Sequence, residues 1–241
     1  MNLHMYTASM KPVRNSPPHR PRTGRARAGA ISNGLTQPDY AKALRTLKKD
    51  PVFAPLIKRH GKPDLSREHG GVNIFQSLLR SIIFQQISGS AGRSIHARVL
   101  ALFPRKHPTP EKLLAITGDE LRMCGLSGQK LSYLQDLAKR CLDGTINQKQ
   151  FPKMTSQEII DHLVVVKGIG VWTAQMMLIF RLNRLDILPV GDLAIRKGFK
   201  HVYQLRVTPT SQKMEELAKP WREYASVASW YLWQEMTPKK K

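Results

Sequence analysis

Residues 163–192 read LVVVKGIGVWTAQMMLIFRLNRLDILPVGD, and the fold turns on this stretch. Just upstream, Ile159, Ile160, Leu163 and Val166 recur at helical spacing behind Thr155 and Glu158, a pair spaced for a capping box. That helix must stop at Lys167-Gly168-Ile169-Gly170, because the two glycines admit backbone angles closed to other residues and let another backbone come close. A second helix starts near Val171 and carries Ala174, Met177, Leu178 and Phe180. Ile169, apolar between two glycines, is suited to plugging down into the helix pair. The amides of Gly168 and Gly170, with those that open the second helix, would point outward together, and such a cluster at a helix N-terminus binds an anion. An ordinary helix-turn-helix corner can carry the same Gly-x-Gly without any ligand. A lone acid, Asp192, follows behind a loop that contains Pro189 and Gly191.

The bulk composition points to a polyanion. Thirty-nine Lys and Arg against 17 Asp and Glu leave a net charge of +22 on 241 residues. Nucleic acid is a better partner for that charge than an acidic membrane surface, although charge alone would fit a ribosomal or chromatin protein equally well. No apolar run is long enough to span a bilayer, so no membrane partner is expected. The length suffices to bury a real core in one domain or two small lobes. Cys124 and Cys141 are too few for a four-cysteine zinc or iron–sulfur site, and they suit an intracellular chain. The expected location is a bacterial cytoplasm, at the nucleoid, or the nucleus of a eukaryote.

Residues 1–37 read as a disordered basic tail, rich in Pro, Arg, Gly and Ser, with the first acid of the chain at Asp39. The run His19-Arg20-Pro21-Arg22-Thr23-Gly24-Arg25-Ala26-Arg27 fits a nuclear signal, an organelle transit segment, a DNA-tethering arm or a solvated tail with no dedicated role. From residue 38 to 241 the pattern is helical and no strand alternation is present, which predicts an all-α domain. Tyr40, Ala43, Leu44 and Leu47 form one apolar face. Pro51 to Arg59 is a short helix, Asn73 to Ile87 a longer and more apolar one, and Ser88 or Ser90 to Phe103 another with Ile95, Val99 and Leu102 inward. Thr109-Pro110 opens a helix with Pro at its first position, and Thr117 with Glu120 frames the next. Ser127 is placed to cap a helix over Leu131 to Leu142. Leu193 to Val202, Thr208 to Lys219 and Pro220 to Met236 complete the set.

The hairpin pattern resembles the helix-hairpin-helix DNA-binding motif. With Asp192 behind it in LPVGDLAIRKG, the chain resembles the helix-hairpin-helix (HhH-GPD) DNA glycosylase superfamily, and within it the alkylbase branch, 3-methyladenine DNA glycosylase II. Ile82 to Ser88 (IIFQQIS) and Pro220 to Trp230 (PWREYASVASW) carry the likeness further, so that it runs from about Asp39 to about Glu235. The resemblance implies two helical lobes with a cleft between them, and a monomer acting on double-stranded DNA with alkylated bases.

Several residue roles follow from that resemblance alone. Asp192 is the catalytic acid, and it can also cap the helix that starts at Leu193. Gln86 enters the duplex where the target base has left, and Ser127 faces the opposite strand. Lys167, Gly168, Ile169, Gly170 and Thr173 hold DNA at the hairpin. Trp172 and Trp230 match aromatic pocket residues, with Trp221 and Tyr224 behind them, and Met176 stands at a pocket position that can be Tyr. Trp221 and Trp233 read more simply as core. Arg222 would orient Asp192 or touch DNA. Strand-cutting members carry a Schiff-base lysine two residues after the second glycine; Trp172 stands there, and an indole has no basic amine. The resemblance therefore implies a monofunctional enzyme. No cofactor is required, while a monovalent cation at the hairpin would use the backbone carbonyls of Val164, Val166 and Ile169.

Overall fold

A computed structural model describes residues 40–65 and 73–237. The expected basic tail, residues 1–37, lies outside them. Among the described residues every regular element is helical, as the sequence pattern predicts. The chain starts with α1 (Tyr40–Leu47) and α2 (Phe53–His60). It then builds one lobe from α3 (Ile74–Phe84), α4 (Gly89–Ala101), α5 (Pro110–Ala115), α6 (Gly118–Met123), α7 (Gly128–Leu142), α8 (Ser156–Val164) and α9 (Val171–Phe180). α10 (Leu193–Val202), α11 (Ser211–Ala218) and α12 (Ala225–Met236) then return to α1 and α2 and form the second lobe with them.

The helix starts follow from local chemistry. Thr155 with Glu158 and Thr117 with Glu120 each form both halves of a capping box. Thr109 caps α5 with Pro110 behind it, and Asn73, Ser88, Ser127 and Thr210 each accept an amide of the following turn. Each lobe is wrapped round one interior helix. In α9 every residue from Thr173 to Phe180 except Gln175 is buried, and in α12 every residue from Ala225 to Trp233 is. A helix that is apolar on all sides belongs in the interior, and these two form the axes of the lobes.

Three details differ from the sequence reading. The helix expected over Asn73 to Ile87 ends at Phe84, because Gln85 is extended and Gln86 takes a left-handed φ of 55°. Leu102, expected inward, is 36% exposed: α4 ends at Ala101, and Phe103, 3% exposed, fills the core position instead. The last helix is broken. Lys219–Tyr224 is a 3₁₀ segment, and Trp221 leaves helical angles so that its ring packs against Phe53 and Phe199 while its indole N–H donates to Asp50 at 3.1 Å.

Candidate active site

Asp192 sits at the N-cap of α10, at the end of a tight turn closed by the Asp192 amide on the Pro189 carbonyl at 2.9 Å. Its residue is only 5% exposed. Three N–H groups fix the carboxylate. The Ile195 amide donates to Oδ1 at 2.9 Å, which is the capping bond; the Trp172 indole donates to Oδ2 at 2.7 Å; and the Trp233 indole approaches Oδ1 at 3.3 Å. Trp172 belongs to α9 and Trp233 to α12, so one carboxylate is held by the interior helices of both lobes. Among the described residues no ion pair neutralises it, which suits a group meant to face positive charge arriving with a ligand.

Asp192 forms one wall of a cleft of about 870 Å³. Gln86, Ser127, Gly168, Gly170, Trp172 and Thr173 line the same cleft, with Tyr133, Lys130 and Gln175 between them. Elements distant in sequence thus converge: the corner after α3, the start of α7, the hairpin between α8 and α9, and the turn before α10.

The hairpin has the form that its glycines suggest, but the two glycines do different work. Gly168 has φ +80°, and a Cβ there would lie 2.2 Å from Cδ2 of Tyr133, so no other residue fits without displacement. Gly170 has an ordinary φ of −92° and open space beside it. Its lack of a side chain leaves the start of α9 without a side-chain cap, where the helix dipole and first-turn amides favour an anion. Ile169 is 4% exposed and plugs the corner, with its amide on the Val166 carbonyl at 3.0 Å. The Lys167 side chain is exposed. Gln86 is exposed at its strained corner, while Ser127 both caps α7, accepting from the Lys130 amide at 3.2 Å, and faces the cleft.

Other expected residues lie elsewhere. Met176 is 0% exposed, turned by α9 into the core, and Trp230, 8% exposed, packs edge-on to Tyr231 with centroids 5.0 Å apart. Neither lines the cleft, so the aromatic surface there comes from Trp172 and Tyr133. Arg222 bonds Glu215 at 3.1 Å and the Asp186 carbonyl, and has no bond to Asp192. Trp221 and Tyr224 are core. Two cleft residues and one support escaped the sequence reading: Tyr133, Lys130 and Trp233. The last sits one helical turn beyond Trp230, a spacing that could have drawn attention to it.

The hairpin carbonyls that would hold a cation are neutral oxygens, the donor type that suits a hard monovalent ion. The Val166 carbonyl already accepts the Ile169 amide, which leaves it one lone pair. Among the described residues no group of three or more His, Cys, Asp or Glu side chains could hold a metal.

Residues 79–223, which include the Gln86 corner, the hairpin and Asp192, match the family described as HhH-GPD superfamily base excision DNA repair protein. The chain belongs to that superfamily. As an HhH-GPD protein it is 34% identical to DNA-3-methyladenine glycosylase 1 of Schizosaccharomyces pombe over 190 residues, 77% of this chain and 82% of the relative. The solved structure of an S. pombe 3-methyladenine DNA glycosylase in complex with abasic DNA superposes with a TM-score of 0.69 at 30% identity, covering 80% of this chain and 95% of that one. A DNA-3-methyladenine glycosidase from Bacillus halodurans gives a TM-score of 0.74 at 31% identity, covering 80% and 88%.

Proposed function

We propose that this HhH-GPD protein is a monofunctional DNA glycosylase that turns alkylated purines, of the 3-methyladenine and 7-methylguanine type, out of duplex DNA, releases the base and leaves an abasic site for base excision repair. The observation that carries the reading is the placement of Asp192: a buried carboxylate with no ion-pair partner among the described residues, held by two indoles on the wall of a cleft that also contains the glycine hairpin. The relatives named as 3-methyladenine glycosylases support the same reading.

Cleaving the N-glycosidic bond builds positive charge on the deoxyribose, in an oxocarbenium-like transition state. A carboxylate already oriented by three N–H donors stabilises that charge with no reorganisation when it appears, and the low-dielectric cleft strengthens the effect. Asp192 can also orient the attacking water. The departing purine carries a positive charge from its alkyl group, so it needs little acid assistance, and the π-face of Trp172 favours a cationic ring by stacking and cation–π attraction. Trp172 supplies no amine for an imine, which keeps the product an intact abasic strand.

The hairpin amides and Lys167 hold a phosphate beside the lesion, Thr173 lends support, and a monovalent cation on the carbonyls of Val164, Val166 and Ile169 would bridge hairpin and phosphate. Gln86 occupies the gap left by the flipped base, which offsets part of the unstacking cost, and Ser127 meets the opposite strand. The enzyme acts as a monomer on DNA in the cytoplasm of a bacterium or the nucleus of a eukaryote.

Incubation with duplexes containing 7-methylguanine or 3-methyladenine tests the reading. Wild type releases free base, and Asp192→Asn loses about 10²–10³-fold in rate while still binding DNA. Salt-sensitive duplex binding with no release from any alkylated substrate would instead make the chain a non-catalytic DNA-binding protein. An imine trapped by borohydride would make it a strand-cutting one.

A further inference from the structure

One face of α7 touches both parts of the cleft that would hold DNA. The Lys130 ammonium reaches across to the Ile83 carbonyl at 2.7 Å, one turn before the strained Gln86 corner. Three residues on, the Tyr133 ring lies against Gly168 so closely that a Cβ there would overlap it. Its hydroxyl is held in turn by the Gln129 amide at 2.6 Å. Three residues further, Asp136 Oδ2 accepts the Lys167 amide at 2.9 Å and pairs with Arg140 at 3.0 Å. Residues three apart are neighbours on a helix surface, so Lys130, Tyr133 and Asp136 follow one another round it, and the stretch from Lys130 to Asp136 covers about 9 Å of helix axis. A fourth bond closes the figure: Gln85, beside Gln86, donates from Nε2 to the Gly168 carbonyl at 2.7 Å.

We propose that this face of α7 is a gauge that sets the distance between the duplex-entering side chain at Gln86 and the backbone-gripping amides of the hairpin, with Lys130 and Asp136 as its positioning residues. The proposal rests on the glycosylase reading for the roles of Gln86 and the hairpin. Each end of the gauge grips main-chain atoms of a corner, Ile83 on one side and Lys167 on the other, so it fixes where a backbone runs and not merely where one side chain lies. Both grips are partly shielded from water: burial lowers the affinity of Lys130 for its proton, and the Asp136 side chain is 17% exposed. The corner to be fixed is one that would otherwise relax, because a glutamine at φ 55° sits in the left-handed region that favours glycine. A wedge and a clamp must engage the same duplex at once, so an error in their spacing is felt at the sugar held between them.

The test uses the full chain with Lys130→Met, Asp136→Leu, the double variant, and Asp136→Asn, which keeps an acceptor for the Lys167 amide. Single-turnover release of 7-methylguanine, affinity for undamaged duplex, and fluorescence of 2-aminopurine placed beside an abasic site are measured well below each melting temperature. Lys130→Met and Asp136→Leu each lose about tenfold or more in release rate. They disturb the 2-aminopurine signal, and affinity for undamaged duplex falls by less than the release rate does, since the hairpin amides remain. Asp136→Asn restores most of the rate, and the double variant is no slower than the worse single one, because either break already frees the spacing. Losses that multiply in the double variant, or rate and affinity falling together while the 2-aminopurine signal stays at the wild-type value, would overturn the gauge. The 2-aminopurine signal on abasic DNA needs no excision, so a wild type that releases no base would defeat the glycosylase reading and leave the gauge to be judged on that signal.

Discussion

The indole N–H of Trp172 donates to Asp192 Oδ2 at 2.7 Å. Trp172 thus aims the carboxylate that Asp192 presents on the cleft wall. A hydrogen bond to a charged acceptor contributes about 1.5–3 kcal/mol. Trp172→Phe keeps an aromatic face for the base and removes the donor, so its release rate should drop about tenfold to hundredfold with duplex affinity nearly unchanged. Single-turnover kinetics on 7-methylguanine DNA check this. A wild-type rate would mean that the bond is incidental to the chemistry.

The second indole should matter less, and for a different reason. Trp233 meets Asp192 at 3.3 Å, on an oxygen that already accepts the Ile195 amide, and its ring stacks on Phe180 with centroids 5.8 Å apart. Trp233→Phe should retain that stack and lower the release rate by about tenfold or less, in line with a longer, shared bond. Trp233→Ala should also lower the melting temperature, because deleting a buried Trp costs about 3–5 kcal/mol. Kinetics and calorimetry on the pair separate the bond from the packing.

What could be read in the sequence was whatever is decided within a few residues. The Thr155–Glu158 and Thr117–Glu120 boxes, the Pro110 start and the Asp192 cap all depend on partners three residues away, and all are present. The hairpin was legible because its first glycine, Gly168, stands where no other residue fits. The rotation of α9 and α12 was not. Both are buried on nearly every side, so no apolar stripe sets their phase or separates Met176 and Trp230, which face the core, from Trp233, which meets Asp192. Tyr133 against Gly168 and Lys130 on Ile83 join positions 35 and 47 residues apart, beyond the range of any local pattern.

Acid stability should depend on Glu235, whose side chain is 7% exposed and joins α12 to α2. Burial alone would raise its pKa, but bonds from His60 at 2.5 Å and Arg59 at 2.8 Å outweigh this and hold the carboxyl below its ordinary value of 4.5. A group with a depressed pKa stabilises the fold above its unfolded value and loses that contribution as pH falls through the lower folded one. Wild type should therefore melt above Glu235→Gln at neutral pH, with the gap narrowing as pH falls below 4.5 and on through the lower folded value, where the carboxyl takes up its proton. Thermal melts of both proteins from pH 7 to pH 3 measure the gap; one that stays constant would remove Glu235 from acid denaturation.

The two hairpin glycines should fail in opposite ways when given a methyl group. Gly168→Ala must adopt φ +80° and place its Cβ against the Tyr133 ring, so it should cost about 2 kcal/mol or more of stability, from backbone strain and overlap together. Gly170→Ala has an ordinary φ and open space, so its stability should stay within about 0.5 kcal/mol of wild type. That space is where a DNA backbone would approach the amides opening α9. A methyl group there should weaken duplex affinity about tenfold, the loss expected when a charge-assisted hydrogen bond is spoiled. Denaturant melts and a fluorescence-anisotropy titration read the two effects separately. A Gly170→Ala protein that binds duplex as wild type does would show that the phosphate sits elsewhere along the hairpin.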